Sequence, residues 1–237
     1  MINFLKKILP TPIIKFLISL KEMLPNGFVV KSYSQEGEDM ILNRIFENQR
    51  TGFFIDVGAH HPKRFSNTYF FYKKGWKGIN IDAMPGSMRA FEKYRPRDIN
   101  IEKPISSKKQ VLTYYAFNEP ALNGFSKEIS KSRDGLNNYK IEFTKDIETT
   151  TLNDILDLKL PLKQSIDFLS IDVEGLDFDV IKSIDLKKYK PKVILIEILG
   201  YTFSEIQNTE IHKYLAAENY FVDAKTVNTV IFKSKNF

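Results

Sequence analysis

Acids stand where apolar runs stop. Phe53-Phe54-Ile55-Asp56 and Gly78-Ile79-Asn80-Ile81-Asp82 each end in a carboxylate, as does Ile166-Asp167-Phe168-Leu169-Ser170-Ile171-Asp172. Val193 to Ile198, the most apolar stretch of the chain, carries Glu197 near its end. A carboxylate in such a place can accept hydrogen bonds from hydroxyls, attract a cation or take up a proton. Asp56 is followed by Val57-Gly58-Ala59-His60. Gly58 lets the backbone approach a ligand closely, and the N–H groups of the turn are expected to hold a carboxylate or phosphate. The strand-plus-acid pattern recurs at Asp82 roughly 20–25 residues on, close to where nucleotide-binding folds place a ribose-binding acid. An acid there repels a ribose phosphate and favours a cofactor without one.

These residues need a sheet to hold them. Phe53 to Val57 reads as a strand buried on both faces, and Gly78 to Asp82, Ile99 to Ile105, Ile166 to Asp172 and Val193 to Ile198 read as further strands. Helices are predicted between them: one capped by Ser34 and running through Met40, Ile41, Leu42, Ile45 and Phe46, then Asn67 to Lys74, Pro85 to Tyr94, Leu176 to Ser183 and Ser204 to Ala217. Val111 to Phe117 and Ile141 to Thr149 read as strands around a polar stretch, Lys127 to Asn138, expected to be a mobile loop. Thr151 opens a short helix to Leu158 as a capping residue. Tyr220 to Ala224 and Thr229 to Phe232 are expected to close the sheet as an antiparallel hairpin. The alternation predicts one α/β domain with a doubly wound, mostly parallel, Rossmann-like sheet over residues 27–237. A variable substrate-side insert is expected near 118–150.

The chain has 237 residues with 43% hydrophobic and 27% charged content, enough for a full core. Its net charge of +6 suits a lysine-rich solvated surface, and a phosphorylated substrate or anionic membrane would also fit. No zinc-finger spacing or aromatic RNA-binding run occurs, so no nucleic-acid partner is expected. With no cysteine, disulfides, thiolate metal sites and cysteine nucleophiles are excluded. A reducing, cytoplasmic location is the expectation. Residues 1–26 stand apart: Lys6, Lys7, Lys15 and Lys21 interleave with apolar residues. Pro10 and Pro12 leave a basic amphipathic helix from about Ile13 to Leu24, too short to span a bilayer. It is read either as a peripheral membrane foot or as a helix packed on the core or a partner subunit.

The dinucleotide pattern G-x-G-x-x-G is absent, since His60-His61-Pro62 follows the single glycine. A one-glycine loop suits S-adenosylmethionine, which has no pyrophosphate to cradle. A dinucleotide-dependent oxidoreductase and a non-catalytic membrane-associated binding subunit are the alternatives. Ser34-Gln35-Glu36-Gly37-Glu38-Asp39, Phe54-Ile55-Asp56-Val57-Gly58-Ala59, Ile81-Asp82-Ala83-Met84-Pro85 and Asp167-Phe168-Leu169-Ser170-Ile171-Asp172-Val173-Glu174-Gly175 together resemble the FkbM-type methyltransferases. The resemblance covers about Tyr33 to Phe232. It implies a class I S-adenosylmethionine-dependent enzyme that O-methylates a hydroxyl of a sugar, glycan or secondary metabolite.

By position, the resemblance puts Asp56, Gly58 and Ala59 at the methionine side of the cofactor, Asp82 on the ribose, Ala83 and Met84 beside the adenosine, and Gln35 near the amino-acid end. Asp172 would stand next to the transferring methyl group. Two departures stand out: His60-His61-Pro62 replaces an Asn-Gly usual in relatives, and Glu102-Lys103-Pro104 replaces small residues after the third strand. Asp172, His60, His61 and Glu174 are the candidates for removing the acceptor's proton, with Asp172 preferred for its place on a central strand. Asp172 and Glu174, with Asp177, could bind Mg²⁺, but acids near a helix start more often cap it, and no metal is predicted. Tyr69, Phe70, Phe71, Tyr72 and Trp76 are expected to pack in the core, with one ring free to stack on a sugar.

Overall fold

The alternating signals become a seven-stranded sheet in the computed structural model, which describes residues 10–16 and 29–237. Two compact units divide the chain, Met1–Ser32 and Tyr33–Phe237. In the first, residues 11–16 are helical, and the carbonyl of Pro10 accepts from the N–H groups of Ile13 and Ile14 at 3.0 and 3.2 Å. The rest of the expected amphipathic segment lies outside the described residues. Among those described, no helix is long and apolar enough to cross a membrane.

The second unit holds α1 (Glu38–Ile45), β1 (Phe53–Val57), α2 (Tyr69–Lys73), β2 (Lys77–Asp82), α3 (Met88–Tyr94) and β3 (Ile99–Glu102). Next come β4 (Val111–Phe117), α4 (Lys127–Arg133) and β5 (Ile141–Glu148). The chain then forms α5 (Leu152–Lys159), β6 (Phe168–Ile171), α6 (Asp177–Lys182), α7 (Leu186–Tyr189) and β7 (Val193–Glu197). It ends with α8 (Glu210–Ala217), β8 (Tyr220–Lys225) and β9 (Thr229–Ser234). The sheet order is β3-β2-β1-β6-β7-β9-β8. The first five strands are parallel, and β9 runs antiparallel between β7 and β8 as the expected closing hairpin. Strand order reverses between β1 and β6, which opens a crevice beyond their C-terminal ends.

Every residue of β1 is buried, because both faces of the sheet are covered. One face packs Phe54, Phe168 and Leu195 against Leu42 and Phe46 of the α1 segment and against Phe71 and Trp76. The other packs Ile55, Leu169 and Ile196 against Leu156 of α5, Val180 of α6 and Leu215 of α8. Each such apolar side chain contributes about 1.5–3 kcal/mol relative to exposure. Phe71 and Trp76 are buried and meet at 4.7 Å between ring centroids, the expected core packing, whereas Tyr69, Phe70 and Tyr72 are only partly buried, and none of the five lines the cavity.

Several local expectations change. Residues 127–138 are not a loop throughout: α4 occupies the first part, with the Ser126 hydroxyl accepting from the Ile129 N–H at 3.3 Å. The turn signals apply only at its end, where Gly135, Asn137 and Asn138 have positive φ. Ser34 does not cap α1. Gly37 does, while the Ser34 hydroxyl donates to Asp39 at 2.9 Å. Helix α3 begins at Met88 rather than Pro85, after a turn closed by Ser87 N–H to Met84 O at 3.1 Å. Thr209, not Ser204, caps α8. Thr151 caps α5 as expected. Strands β4 and β5 form their own two-stranded sheet.

Candidate active site

A cavity of about 300 Å³ lies beyond the C-terminal ends of β1, β2, β6 and β7, a size suited to a small ligand. Val57, Gly58, Asp82, Asp172 and Glu197 line it from the strand ends. Tyr114, Asn123, Gly124, Phe125 and Arg133 line it from the β4–α4 segment. Gln35, His60, Phe65, Lys103 and Leu199 also border it.

Gly58 allows the two central strand ends to come together. Its φ is +83°, and a Cβ there would lie 1.6 Å from the carbonyl oxygen of Asp172. No side chain fits, and the left-handed conformation disfavours one as well. The turn's donors, however, are already used. The N–H groups of Gly58 and Ala59 both donate to Ile81 O, at 2.9 and 3.0 Å, and that of His60 donates to Asp82 Oδ2 at 2.8 Å. The expectation that these groups would hold a ligand's carboxylate is therefore corrected: they tie β1 to β2.

Asp82 is fixed from both sides, since Met84 N–H donates to its other oxygen at 2.8 Å. Each oxygen keeps a lone pair for a ligand hydroxyl. Burial pushes its carboxyl above the usual range, and the N–H groups of Met84 and His60 offset part of that. Ala83 and Met84 follow on the cavity wall. Met84 Sδ receives the Asn123 amide at 3.4 Å.

Asp56 and Ala59 are not on the cavity lining. Side chains alternate along β1, so Asp56 shares the face of Phe54 and turns toward the start of α2. Thr68 Oγ1 donates to its Oδ2 at 2.8 Å. Arg95, itself bonded to Thr68 at 2.8 Å and to Asp98 at 2.8 Å, stands behind. Burial raises the Asp56 carboxyl, and Arg95 offsets part of this. Asp56 holds together a buried polar network. Ala59 packs on Met88 and Phe91.

Asp172, Glu174 and Glu197 face one another, with carboxylate oxygens within 4.8 Å. Asp172 opens to the cavity, yet protein surrounds it closely enough to strip much of its hydration, and its carboxyl is raised far above the usual range. Burial is the first cause, followed by the charges of Glu197, Asp177 and Glu174. Glu197 is pushed up to about 8 by burial, then by Glu174 and Asp177, with Arg133 pulling it down. Carboxylates so close repel unless a proton or cation sits among them. Arg133 supplies one cation, at 2.6 Å from Glu174. Asp177 does not join the three: its oxygens accept from Val173 and Gly175 N–H at 3.1 Å each, capping the turn into α6. The β4–α4 segment clasps this turn, since a Cβ on Gly124 would lie 3.0 Å from Glu174 Cβ and one on Gly175 would lie 2.9 Å from Ile129.

The two histidines separate. His60 lines the cavity and its ring is nearly parallel to that of Phe65 at 6.4 Å. Burial, then Arg64, lower its pKa, which favours a neutral imidazole. His61 lies off the lining and accepts from Lys63 and Arg64 N–H through Nδ1, at 3.1 and 2.9 Å. Gln35 reaches the cavity because its neighbours are anchored. Glu36 accepts from Asn228 N–H and Nδ2 at 2.9 Å each, and Glu38 accepts from Thr229 Oγ1 at 3.1 Å.

Sequence reasoning left out Arg133, Tyr114 and Asn123; it put Glu197 at a strand end on the ligand side, where it lies, but assigned it no role. Glu197 bore the same strand-end signal as Asp172. The other three sit in a segment whose approach to the cavity depends on long-range packing.

A family model described as "Methyltransferase FkbM domain" matches residues 56–222. Among solved structures, the chain is similar to a TehB-like SAM-dependent methyltransferase from Corynebacterium glutamicum ATCC 13032 Kitasato. The identity is 9% and the TM-score 0.39, over 93% of this chain and 97% of that one. No curated protein matches in sequence.

Proposed function

The chain belongs to the FkbM methyltransferase domain family, and from that membership we propose that this S-adenosylmethionine-dependent methyltransferase acts on a hydroxyl oxygen of a sugar, glycan or secondary metabolite. Family membership sets aside the dinucleotide-dependent oxidoreductase. The residues present fit the cofactor by their chemistry. Asp82 offers lone pairs for ribose hydroxyls, and Ala83 and Met84 offer an apolar wall beside it. Asp172, Glu174 and Glu197 complement positive charge. With the Gly58–His60 N–H groups occupied, the amide of Gln35, which has no hydrogen-bond partner among the described residues, is the group we assign to a ligand carboxylate. S-adenosylmethionine, when bound, supplies a methyl carbon activated by positively charged sulfur.

The acid pair Asp172–Glu197 carries the hydroxyl reading. An alcohol must lose its proton as its oxygen takes the methyl group, and a base works best with a pKa near the working pH. Burial and mutual repulsion turn two ordinary carboxylates into such a base. Arg133 pairs with Glu174 and offsets part of the third charge. His60 and Phe65 border the same space, where a ring of the acceptor can lie against them. The β4–α4 segment lines the cavity opposite the strand ends, where a bound acceptor displaces water and is held in line. With no cysteine to oxidise, the chain suits a reducing cytoplasm, and we place it there.

Calorimetry with S-adenosylhomocysteine, followed by labelled methyl transfer to a panel of sugars, phenols and amines, tests this reading. Mass spectrometry should locate the methyl group on oxygen. No binding by the folded chain, or methyl groups only on nitrogen or carbon, would rule it out.

A further inference from the structure

The end of the sheet opposite the cavity carries a second chemical feature. The loops from α5 to β6 and from α7 to β7 each lead into the start of a strand, so they lie at that opposite end. Leu158 is 74% exposed and Leu162 93%, the latter the most exposed large apolar side chain among the described residues. Lysines surround both. Residues 158–163 read Leu-Lys-Leu-Pro-Leu-Lys and residues 186–192 read Leu-Lys-Lys-Tyr-Lys-Pro-Lys, six lysines with no acid.

Packing makes one surface of these two segments. Asp157, near the end of α5, receives both Lys188 and the Tyr189 hydroxyl. Lys192 N–H donates to Ile166 O at 3.2 Å. Asp157 and Asp167 pair with Lys188 and Lys192. Lys159, Lys163, Lys187 and Lys190 are exposed and have no ion-pair partner among the described residues. Lys163 and Lys190 have φ of 61° and 45°. Glycine or asparagine adopts that conformation at less cost, yet a lysine occupies both turns.

Exposed leucines set among unpaired lysines match a surface that is negative at its border and apolar beneath. Nucleic acid would use the charge but not the leucines. We propose that this end of the domain docks on an anionic lipid bilayer. Leu158 and Leu162 enter the boundary between headgroups and acyl chains, and the four lysines lie against the headgroups. This role is independent of which acceptor the cavity takes. Five-residue strands place the cavity about 16 Å beyond that surface, so docking fixes where the enzyme works rather than presenting a headgroup for methylation.

The absence of cysteine makes the test direct. In the full chain, Leu162→Cys is labelled with a polarity-sensitive fluorophore. Val227→Cys, at the cavity end in the β8–β9 turn, is the control. Both are mixed with phosphatidylcholine vesicles with and without phosphatidylglycerol. The expected result is a blue shift at 162 only, only with phosphatidylglycerol, and reversed by salt. The charge reversal Lys159→Glu with Lys163→Glu, in the otherwise native chain, should weaken co-sedimentation at least about 25-fold, about fivefold per lysine. Unchanged S-adenosylhomocysteine binding shows that each variant is folded. Four outcomes overturn the proposal: no co-sedimentation of the full chain, co-sedimentation without a shift at 162, equal binding to uncharged vesicles, or a shift with a DNA duplex but not with vesicles.

Discussion

Replacing Glu197 by glutamine separates shape from charge at the cavity. Glutamine nearly keeps the volume but cannot ionise. In the folded chain the Glu197 carboxyl is pushed from 4.5 up to about 8, by burial first and then by Glu174 and Asp177. The fold therefore retains a proton that the unfolded chain releases near 4.5. Below that pH the group costs no stability. As pH rises the unfolded chain binds fewer protons than the folded one, so stability falls until the folded group has titrated. Each tenfold gain in proton affinity on folding corresponds to about 1.4 kcal/mol, so the upper bound is about 5 kcal/mol. Sharing of the proton with Asp172 and water in the cavity reduce the expected loss to about 2–3 kcal/mol. Urea unfolding from about pH 4.5 to about pH 9 should show that loss in the native chain and less than half of it in Glu197→Gln. Methyl transfer to a hydroxyl should fall by about 10²–10⁴ in kcat, with S-adenosylhomocysteine affinity changed less than about tenfold. Identical pH slopes for the two proteins, or native turnover in the variant, would refute the reasoning.

Gly58→Ala should unfold at least about 3 kcal/mol more easily, because the new Cβ must displace the Asp172 backbone in an already unfavourable conformation; denaturant midpoints measure this. Asp82→Asn should weaken S-adenosylhomocysteine binding by about 10–100-fold in calorimetry, the loss of one or two charge-assisted hydrogen bonds. Arg95→Met leaves Asp98 and Asp56 buried without their cation and should cost about 3–5 kcal/mol in thermal or chemical unfolding. Since Arg133 already offsets charge among the three acids, EDTA should leave turnover of the purified enzyme unchanged.

The main architecture was legible from the chain because strands buried on both faces leave an unambiguous apolar run. Phe53 to Val57 and Val193 to Glu197 are such strands, and the helices between strands followed from apolar residues at helical spacing and from turn and capping signals. Helix α4 was not legible. Its buried surface is small, so its composition is that of a loop, and only its docking on the turn at Glu174 and Gly175 gives it order. Among the residues that line the cavity, Asp82 and Asp172 were readable as acids at strand ends and Glu174 from the run that follows β6, whereas Asp56 gave the same strand-end signal and turns away. Glu197 carried the same signal and was undervalued.

By itself the sequence determined the alternation of the main strands and helices, the glycine turn after Asp56 and the set of acids at the strand ends. The side of the sheet to which each acid turns was settled by tertiary structure. Asp56 and Asp172 look alike in the sequence, but strand alternation sends the first into a buried network with Thr68 and Arg95 and leaves the second facing Glu197 across the cavity. The N–H groups after Gly58 could have served a ligand, and only the pairing of β1 with β2 showed them bonded to Ile81 and Asp82. A residue's type fixes what it can do chemically, whereas its pKa and its partners depend on neighbours brought together across more than a hundred residues.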